Sequence, residues 1–409
     1  MNWLARLLLI LASCSLAARL DPAAAQAPQF AFAPTGPVFD LERSPRAGER
    51  MVQGSTAAAA ANTASWNAIV DRVHMSNGGI RDDLYLPAGR WYHDGTLRIG
   101  INAAQTQTRS GGSIHGAGGF GNQLNSNSMS INLGAETRLI NTSTTDRTPA
   151  DGFTDGESLL YGGCGWRFGN FAVWGFDIPN QDLWKARDAE QKQAVGLRLQ
   201  ASHIPGPANA SYAWIAPISF MGFRDAILIQ PKSGINGQAN NTYWQFISAD
   251  TCDTIFHVND IQAVTHEIYA LTPGQFCRRG IFMERGGHIH VHSMHVIYPN
   301  FTVAEIGDEY HVNFGELVID GLKLDNFASA GTVLLKLGKF NGQPRAVFIT
   351  GSVGPRVKFA PAGACQGIHP TDRIFIRFTG EPKRAAMLNA FSTIDANGNL
   401  LNKRSTTSQ

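Results

Sequence analysis

The chain has 409 residues, of which 34 are lysine or arginine and 32 are aspartate or glutamate, giving a formal net charge of +2 at pH 7. This balance excludes a general nucleic-acid or polyanion binder, which would carry a basic surplus. Hydrophobic residues at 43% exclude a largely disordered protein, and 43 glycines with few charges predict an ordered, turn-rich, all-β chain.

The N-terminus predicts export. Arg6 precedes an apolar run over residues 7–12, and residues 23–25 form an A-x-A cleavage motif, so residues 1–25 are predicted to be a bacterial Sec signal peptide. A secreted or periplasmic protein follows, without a transmembrane segment, because no apolar run is long enough to span a bilayer. Residues 11–14 also fit a lipobox, which makes lipoprotein anchoring at Cys14 the alternative.

The first firm element is a helix. Residues 26–60 are rich in alanine, proline and glycine and are predicted to be a flexible arm. From about Ala64, Trp66, Ile69, Val70 and Val73 form one apolar stripe at helical spacing, and two glycines at 78 and 79 end it.

Short alternating runs bounded by turn residues replace the helical period after that point. They recur over residues 171–176, 218–223, 243–247, 267–271, 288–292, 317–322 and 346–349. A second apolar run follows most of them, beginning at positions 226, 254, 280, 302 and 332. Starts that recur at intervals in the twenties predict a β-solenoid, in which Cys252 and Cys277 lie one rung apart. A β-sandwich is the alternative, but its strand count rarely fills so long a chain.

A family resemblance supports the solenoid. Residues 66–71, 78–79 and 84–92 resemble the N-terminal cap and first rung of pectate-lyase-like right-handed parallel β-helices, and residues 95–99 and 113–118 continue the pattern. The resemblance covers residues 64–118 by motif and 165–355 by rung period. It implies one parallel β-helix over residues 61–360 and a C-terminal cap and tail over 361–409, with a capping helix near 383–388. The superfamily contains polysaccharide lyases, glycoside hydrolases, uronate epimerases and tailspikes, so it implies a polysaccharide partner and leaves a homotrimer open.

A run of histidines is the most unusual feature. Side chains alternate along a strand, so Ile289 and Val291 are predicted to point inward and His288, His290 and His292 outward. With a rise of about 3.3 Å per residue, the outer two histidines lie about 13 Å apart, too far for three imidazoles to share one ion. We therefore predict no metal centre from the run itself; His290 and His292 with a ligand from another rung remain the metal alternative. A catalytic or anion-binding histidine facing a uronate is the functional interpretation, and a polar outer face is the structural one.

Three aspartates form a second candidate group. Asp225 follows a turn, and Asp250 and Asp253 fall at about the same phase one rung later. Stacked carboxylates resemble those of inverting β-helix hydrolases, in which one acid protonates the leaving oxygen and another activates water about 6.5–9.5 Å away. Solvent-facing turn aspartates are the alternative.

A third group suits β-elimination, and with the histidines it comprises Tyr269, Arg278, Arg279 and Lys323. A lyase neutralises the uronate carboxylate and removes its α-proton; arginine binds carboxylate in bidentate fashion, and histidine, lysine or tyrosine can be the base. Adjacent arginines on a strand point to opposite faces, so at most one serves this surface. Pairing of an arginine with Glu267 or Glu284 is the alternative.

Substrate binding is assigned to outward aromatic and cationic side chains. The aromatic candidates are Trp174, Trp214, Tyr243 and Trp244, of which at least half are expected in the core. His288 and Lys323 complete the set.

The leading hypothesis is therefore an exported lyase that cleaves a uronate-containing polysaccharide by β-elimination. The alternatives are an inverting hydrolase using the three aspartates and a non-catalytic polysaccharide-binding surface protein. The sequence carries no strong metal motif and leaves the cofactor unknown, with a divalent cation such as Ca²⁺ open.

Overall fold

A computed structural model describes residues 38–40, 42, 48, 50–75, 83–98, 113–118, 137–142, 153–154, 166–175, 195–199, 213–230, 242–260, 265–274, 276–298, 300–309, 315–325 and 331–401. All of them belong to one compact unit that spans residues 34–409.

The described residues form 27 short strands, two α-helices and one 3₁₀ turn at Thr56–Ala58. The helices are α1 (Ala59–Met75) and α2 (Pro382–Asn389). The first strands are β1 (Val38–Asp40), β2 (Asp83–Leu86), β3 (Gly89–His93), β4 (Leu97–Arg98), β5 (Ser113–Gly116), β6 (Thr137–Asn141), β7 (Phe153–Thr154), β8 (Trp166–Gly169), β9 (Phe171–Trp174), β10 (Val195–Leu199), β11 (Ala213–Ile215), β12 (Ile218–Met221) and β13 (Asp225–Ile229). The remainder are β14 (Thr242–Trp244), β15 (Ile247–Asp250), β16 (Thr254–Val258), β17 (His266–Ile268), β18 (Leu271–Pro273), β19 (Arg279–Met283), β20 (Gly287–Val291), β21 (Met294–Val296), β22 (Thr302–Ile306), β23 (Gly315–Leu324), β24 (Val333–Leu337), β25 (Ala346–Val353), β26 (Cys365–Gln366) and β27 (Arg373–Gly380).

Every pairing between these strands is parallel, and the strands form three stacks. The first runs β1, β2, β5, β8, β11, β14, β17, β20, β23, β25, β27, and the second runs β3, β6, β9, β12, β15, β18, β21, β23. They meet in β23 and make one 18-stranded sheet, sheet A; the third stack is the nine-stranded sheet B, which runs β4, β7, β10, β13, β16, β19, β22, β24, β26.

The spacing along the chain follows the predicted period. Register partners are residues that lie side by side on neighbouring strands. From β11 onward, the fewest residues of sequence separate pairs such as Glu267 and His290, and the most separate Thr302 and Val333. Most of these separations are in the twenties of residues, as a solenoid requires. The prediction of an all-β chain with such a period is confirmed, and the long parallel sheets fit a parallel β-helix.

Rows of apolar side chains in register form the core between the sheets. In sheet B the row is Leu197, Ile227, Phe256, Ile281, Ala304 and Leu335, all fully buried. In sheet A the row is Ile215, Trp244, Ile268, Val291, Ile319, Ile349 and Ile376, each at most 2% exposed. Full burial of one such side chain contributes about 1.5–3 kcal/mol to the free energy of folding. Because these side chains are buried against the rungs above and below, contact between neighbouring rungs is the main source of stability for each rung.

The helix predicted from Ala64 is α1, which begins earlier, at Ala59. Trp66, Ile69 and Val70 are fully buried, and the indole Nε1 of Trp66 donates to the carbonyl oxygen of Arg98 at 2.7 Å. The side chain of Val73 and the two glycines predicted to end the helix lie outside the described residues.

The chain on both sides of the predicted solenoid joins the sheets. Within residues 26–60, predicted to be a flexible arm, β1 pairs with β2 and Met51 is 2% exposed, because the core accepts its side chain. Beyond residue 360, β27 pairs with β25 over its whole length. The helix predicted near 383–388 is α2, which buries Ala385 and Leu388.

The three cysteines in the described residues are buried thiols: Cys252, Cys277 and Cys365. Cys252 and Cys277 lie on adjacent rungs as predicted, since the amide of Arg278 donates to the carbonyl oxygen of Cys252 at 3.2 Å. Burial raises the pKa of the Cys277 thiol well above its usual range and that of Cys365 to about 12. Cys164, the other cysteine after the predicted signal peptide, lies outside the described residues.

The predicted signal peptide at residues 1–25 and the alternative anchor Cys14 lie outside the described residues. In the part of the chain that the structure describes, no helix is both long enough and apolar enough to cross a membrane.

Candidate functional site

A row of outward side chains crosses sheet A at right angles to the strands. Its members are Trp214, Tyr243, Glu267, His290, Val318, Phe348 and Phe375, one from each successive strand of the first stack from β11 to β27. Neighbouring strands are about 4.8 Å apart, so the row is about 29 Å long. We call it the outward row.

Aromatic pairs occupy both ends of the outward row. The rings of Trp214 and Tyr243 stack at 4.4 Å between centroids with an interplanar angle of 15°. The rings of Phe348 and Phe375 are 6.4 Å apart and tilted by 41°. All four side chains are half-buried. A charged centre, Glu267 and His290, lies between them.

The histidine run begins on β20 and ends with His292, directly after the strand, and its side chains alternate as predicted. Ile289 and Val291 are fully buried, whereas the side chains of His288, His290 and His292 are 37%, 24% and 37% exposed. The rungs on either side bring carboxylates to this strand.

Glu267, His290, His292 and Asp320 form the histidine–carboxylate cluster. One carboxylate oxygen of Glu267, Oε2, lies 3.2 Å from His290 Nδ1 and 2.8 Å from His292 Nε2. On the other side, Asp320 Oδ2 lies 2.9 Å from His290 Nε2. The centroids of the two imidazole rings are 3.9 Å apart. Two consecutive outward histidines therefore share one carboxylate from the preceding rung.

His290 has a carboxylate on each ring nitrogen. Carboxylate oxygens accept hydrogen bonds, so each ring nitrogen of His290 has an acceptor within reach. The two contacts lie on opposite sides of the ring and fix its orientation.

A bulge in β23 positions Asp320. The register between β23 and β25 shifts between Ile319 and Leu322, and Gly321 adopts φ 62°, a left-handed conformation that favours glycine. The hydroxyl of Thr350 on β25 donates to Asp320 Oδ1 at 3.4 Å. The Asp-Gly pair therefore turns the carboxylate toward His290 at the point where the two stacks of sheet A merge.

Tyr269 borders the cluster on the open side. Its ring stacks on His292, with centroids 5.0 Å apart and an interplanar angle of 13°, and the residue is 42% exposed. Among the large hydrophobic side chains of the described residues, it is one of the few with such exposure. The phenol is thus held beside the two histidines and open to solvent.

The arginine pair predicted for elimination lies away from the histidines. Arg279 is on β19 of sheet B, where its guanidinium bonds Glu305 at 2.7 Å and lies over the ring of Phe282 at 3.9 Å. Arg278 precedes that strand and contacts Asp253 at 3.4 Å. The structure therefore brings neither arginine to His290.

The three predicted aspartates do not stack on one another. Register pairs Asp225 with Thr254 on sheet B and Asp250 with Met221 on sheet A, while Asp253 falls between the two sheets. Asp225 and Asp250 are 3% and 2% exposed. These carboxylates lack the common outward face that a pair of hydrolytic acids requires.

Two of the predicted aromatic platforms are in the core. Trp244 is fully buried, and Trp174 is 2% exposed beneath the guanidinium of Arg138, which lies 3.9 Å from its ring centroid. Burial prevents either from stacking on a sugar. Trp214 and Tyr243 instead lie on the outward row.

The remaining predicted substrate-binding residues flank the cluster. His288 lies 3.6 Å from Glu316 on the next strand, and Lys323 is exposed with its ammonium 3.5 Å from Asp325. Both are outward on sheet A.

A second histidine, His257 on sheet B, lies between Asp225 and Glu284 at 3.1 and 2.9 Å. Burial lowers the pKa of His257, but the hydrogen bonds and charges of the two carboxylates more than offset it and raise that pKa above its ordinary value. The hydrogen bond from His257 lowers the pKa of Glu284. Burial raises the pKa of Asp225, but His257 and Arg224 outweigh it and lower that pKa. His257 is 13% exposed, so this group is largely enclosed.

Several residues of the site are not indicated by the sequence patterns. Glu267 is predicted only as a partner for arginine, and Asp320, Phe348, Phe375 and Arg377 are not predicted at all. Arg377 is exposed on β27 and lies beside Thr350 on β25, the residue whose hydroxyl donates to Asp320. Counting one rung backward and forward from His290 would indicate Glu267 and the segment around Asp320, since the rung period is visible in the sequence.

Among the described residues, Glu267, His290 and His292 are the group that could hold a metal ion. Each offers one ligand atom, and these atoms lie within 4.8 Å of one another.

Together, the fold and the site define an all-β protein whose long parallel sheets carry a histidine–carboxylate cluster on an outward face. Comparison with known proteins gives no match: no protein-family model, no curated protein and no solved structure is similar to this chain. The chemistry of the cluster therefore has to be inferred from its own geometry.

Proposed function

We propose that this protein is an exported, right-handed parallel β-helix enzyme that cleaves a uronate-containing polysaccharide by β-elimination on the outward face of sheet A. The observation that carries the proposal is the outward row, in which Glu267 and His290 lie between two aromatic pairs. The predicted signal peptide supports export, and the recurrence of strands in parallel register supports the β-helix.

The length of the outward row suits a linear polymer. Trp214 with Tyr243 at one end and Phe348 with Phe375 at the other offer apolar ring faces, which stack on the apolar faces of pyranose rings. A row of about 29 Å accommodates several sugars in line, with the charged centre under the middle of the chain.

Elimination needs positive charge beside the uronate carboxylate and a base for the proton next to it. His290 and His292 offer imidazole nitrogens at the centre of the row, and Lys323 is an exposed cation on the outward side of the same sheet. Arg377 lies four strands beyond Tyr269, about 19 Å away, and so is placed for a carboxylate further along the polymer.

Tyr269 is the group we assign as base. As phenolate, it takes the proton from carbon 5; the C–H electrons form the C4–C5 double bond, and the bond from C4 to the bridging oxygen breaks. The phenol then returns its proton to that oxygen, which regenerates the phenolate. The exposure of Tyr269 and its fixed stacking on His292 support this role, since a proton-transfer group must reach its substrate in one defined orientation.

The two alternatives have less support. An inverting hydrolase using Asp225, Asp250 and Asp253 would need an exposed, paired set of carboxylates, whereas two of these are at most 3% exposed. A non-catalytic polysaccharide-binding protein would use the same aromatic pairs without the chemistry of Tyr269, so the test has to separate binding from turnover.

The test is incubation of the purified protein with a panel of uronate polysaccharides and neutral glycans, following ultraviolet absorbance and reducing ends together. Absorbance that rises in step with reducing ends reports the unsaturated product of elimination. Tyr269→Phe, which keeps the ring and removes only the hydroxyl, is expected to lower kcat about 10²–10⁴-fold, the usual contribution of one acid–base group.

Tyr85→Phe is the matched control, because Tyr85 is a half-buried tyrosine on β2 of sheet A that lies against His115, outside both the outward row and the cluster. It is expected to retain activity. Reducing ends without absorbance would show hydrolysis, and retention on a polysaccharide column without product would show a binding protein. Full activity in His290→Ala would refute the assignment of this cluster.

A further inference from the structure

The donor atoms of the cluster have the types and positions of a transition-metal site. Glu267 Oε2 lies 3.2 Å from His290 Nδ1 and 2.8 Å from His292 Nε2, and all three ligand atoms lie within 4.8 Å of one another. In a tetrahedral site with Zn–N bonds of about 2.0–2.1 Å, ligand atoms are about 3.3 Å apart. The observed separations therefore need to change by only about half an ångström on the Glu267 side.

From these distances, we propose that Glu267, His290 and His292 bind one divalent transition-metal ion, of which Zn²⁺ is the type. Two histidines and a carboxylate are a donor set that imidazole-preferring ions favour, whereas Ca²⁺ takes six to eight oxygen ligands. The sequence leaves the identity of a divalent cation open, and this donor set favours an ion that accepts nitrogen ligands over Ca²⁺.

Asp320 supports the assignment from outside the ligand set. It accepts from His290 Nε2 at 2.9 Å, which fixes the ring with Nδ1 directed at Glu267. A metal-bound histidine almost always donates its other ring N–H to a carboxylate, a carbonyl or water in this way. A ring that turned its Nδ1 away from Glu267 would lose both contacts.

The donor set leaves part of the coordination sphere of an ion open. Three protein ligands leave further coordination positions on the solvent side, where the side chains of His290 and His292 are 24% and 37% exposed. An open position is typical of metal sites that bind a substrate or water.

The inference stands on these donor atoms and not on the proposed reaction. A bound ion would place positive charge at the centre of the outward row, and Tyr269 would keep its place beside it. The test therefore measures binding of the ion and needs no turnover, so failure of one proposal leaves the other intact.

The experiment is calorimetric titration of Zn²⁺ into the purified, chelator-treated protein, which carries no polyhistidine tag, with the visible absorption of Co²⁺ as a second readout. The expected result is one ion per chain at this site, with release of protons, and no binding of Ca²⁺ at the same concentrations. Glu267→Gln and His292→Ala are expected to abolish that binding. Asp320→Asn is expected to weaken it about 10–100-fold, the usual effect of losing the group that orients a ligand.

His288→Ala is the matched control, since His288 lies on the same strand and face but outside the donor set; it is expected to bind as the wild type does. His257→Gln is the control for the other carboxylate-bonded histidine. Circular dichroism is used to check that each variant is folded. If His292→Ala does not fold, the result for Glu267→Gln decides, because that substitution hardly changes the size of the side chain. The proposal would be overturned by no Zn²⁺ binding, by binding that survives in Glu267→Gln, or by binding that is lost in either control.

Discussion

A buried ion pair joins the two residues that come directly before the last two strands of sheet A. Arg345 directly precedes β25 and Asp372 directly precedes β27. The guanidinium bonds both carboxylate oxygens, Nε to Oδ1 at 2.9 Å and one terminal nitrogen to Oδ2 at 2.6 Å, and their side chains are 3% and 0% exposed. The carboxylate also accepts from the backbone amides of Arg345 and His369 at 3.1 and 2.7 Å.

We expect Asp372→Ala to lower the free energy of unfolding by about 3–5 kcal/mol, because removing one partner of a buried pair leaves the other charge without compensation in a medium that solvates it poorly. The guanidinium would keep only its bonds to the carbonyl oxygens of Gly338 and Gly367, at 2.8 and 3.1 Å. Glu309→Ala is the matched control: it breaks the Arg285–Glu309 pair, whose side chains are 49% and 63% exposed, and should cost about 0–1 kcal/mol.

The assay is urea unfolding followed by circular dichroism, with the slope of each transition compared between variants. Because strands in such stacks contact mainly their neighbours, the loss is expected first at the C-terminal end, as earlier proteolysis after residue 345. A double variant, Arg345→Met with Asp372→Leu, should recover only part of the stability, because it removes both charges but leaves the amides of Arg345 and His369 without their acceptor. Asp372→Ala within about 1 kcal/mol of the wild type, or no more harmful than Glu309→Ala, would refute this reasoning.

Two further predictions concern stability. Protonated His257 stabilises the folded state through Asp225 and Glu284. This stabilisation is complete below the ordinary histidine pKa of about 6.5 and is lost as the pH rises through the raised pKa of His257 in the folded state. The stabilisation from the ionised forms of the two carboxylates is present above about pH 4–4.5 and is lost as the pH falls through their lowered pKa values. The melting temperature of the wild type should therefore exceed that of His257→Gln most between about pH 5 and 6.5, and a difference that is constant from pH 4 to 9 would contradict this. Ile289→Ala, at a fully buried position beneath the cluster, should cost about 2–5 kcal/mol in urea unfolding, whereas His288→Ala on the same strand should stay within about 0.5 kcal/mol of the wild type; equal effects would show that the strand faces are misassigned.

The inward and outward faces of the site strand could be predicted because strand alternation is local. Ile289 and Val291 are apolar, His288, His290 and His292 are polar, and the pattern needs no knowledge of neighbouring strands. The all-β class and the rung period follow from the same short-range pattern, repeated along the chain.

The rung period locates the partners of His290 only to a segment of each neighbouring rung, and not to a residue, because rung length varies. The segment that joins Glu267 to His290 is shorter than the one that joins His290 to Asp320, and adding or removing a single residue in either would direct the partner to the opposite face. The bulge at Gly321 adds a local shift that no regular period contains. Arg278 and Arg279 illustrate the same limit: their distance in sequence from the histidines is short, but a turn places Arg279 on the other sheet.

The uniformly parallel pairing has a consequence for any polymer that binds here. All described strands run the same way, so sheet A has no two-fold axis that would exchange its two ends. The indole–phenol pair lies toward one end and the two phenyl rings toward the other, and Tyr269 is offset to one side of the row. A chain laid across this surface and the same chain reversed thus form two different complexes. A polysaccharide bound as proposed would therefore be held in one direction, with its reducing end toward a fixed end of sheet A.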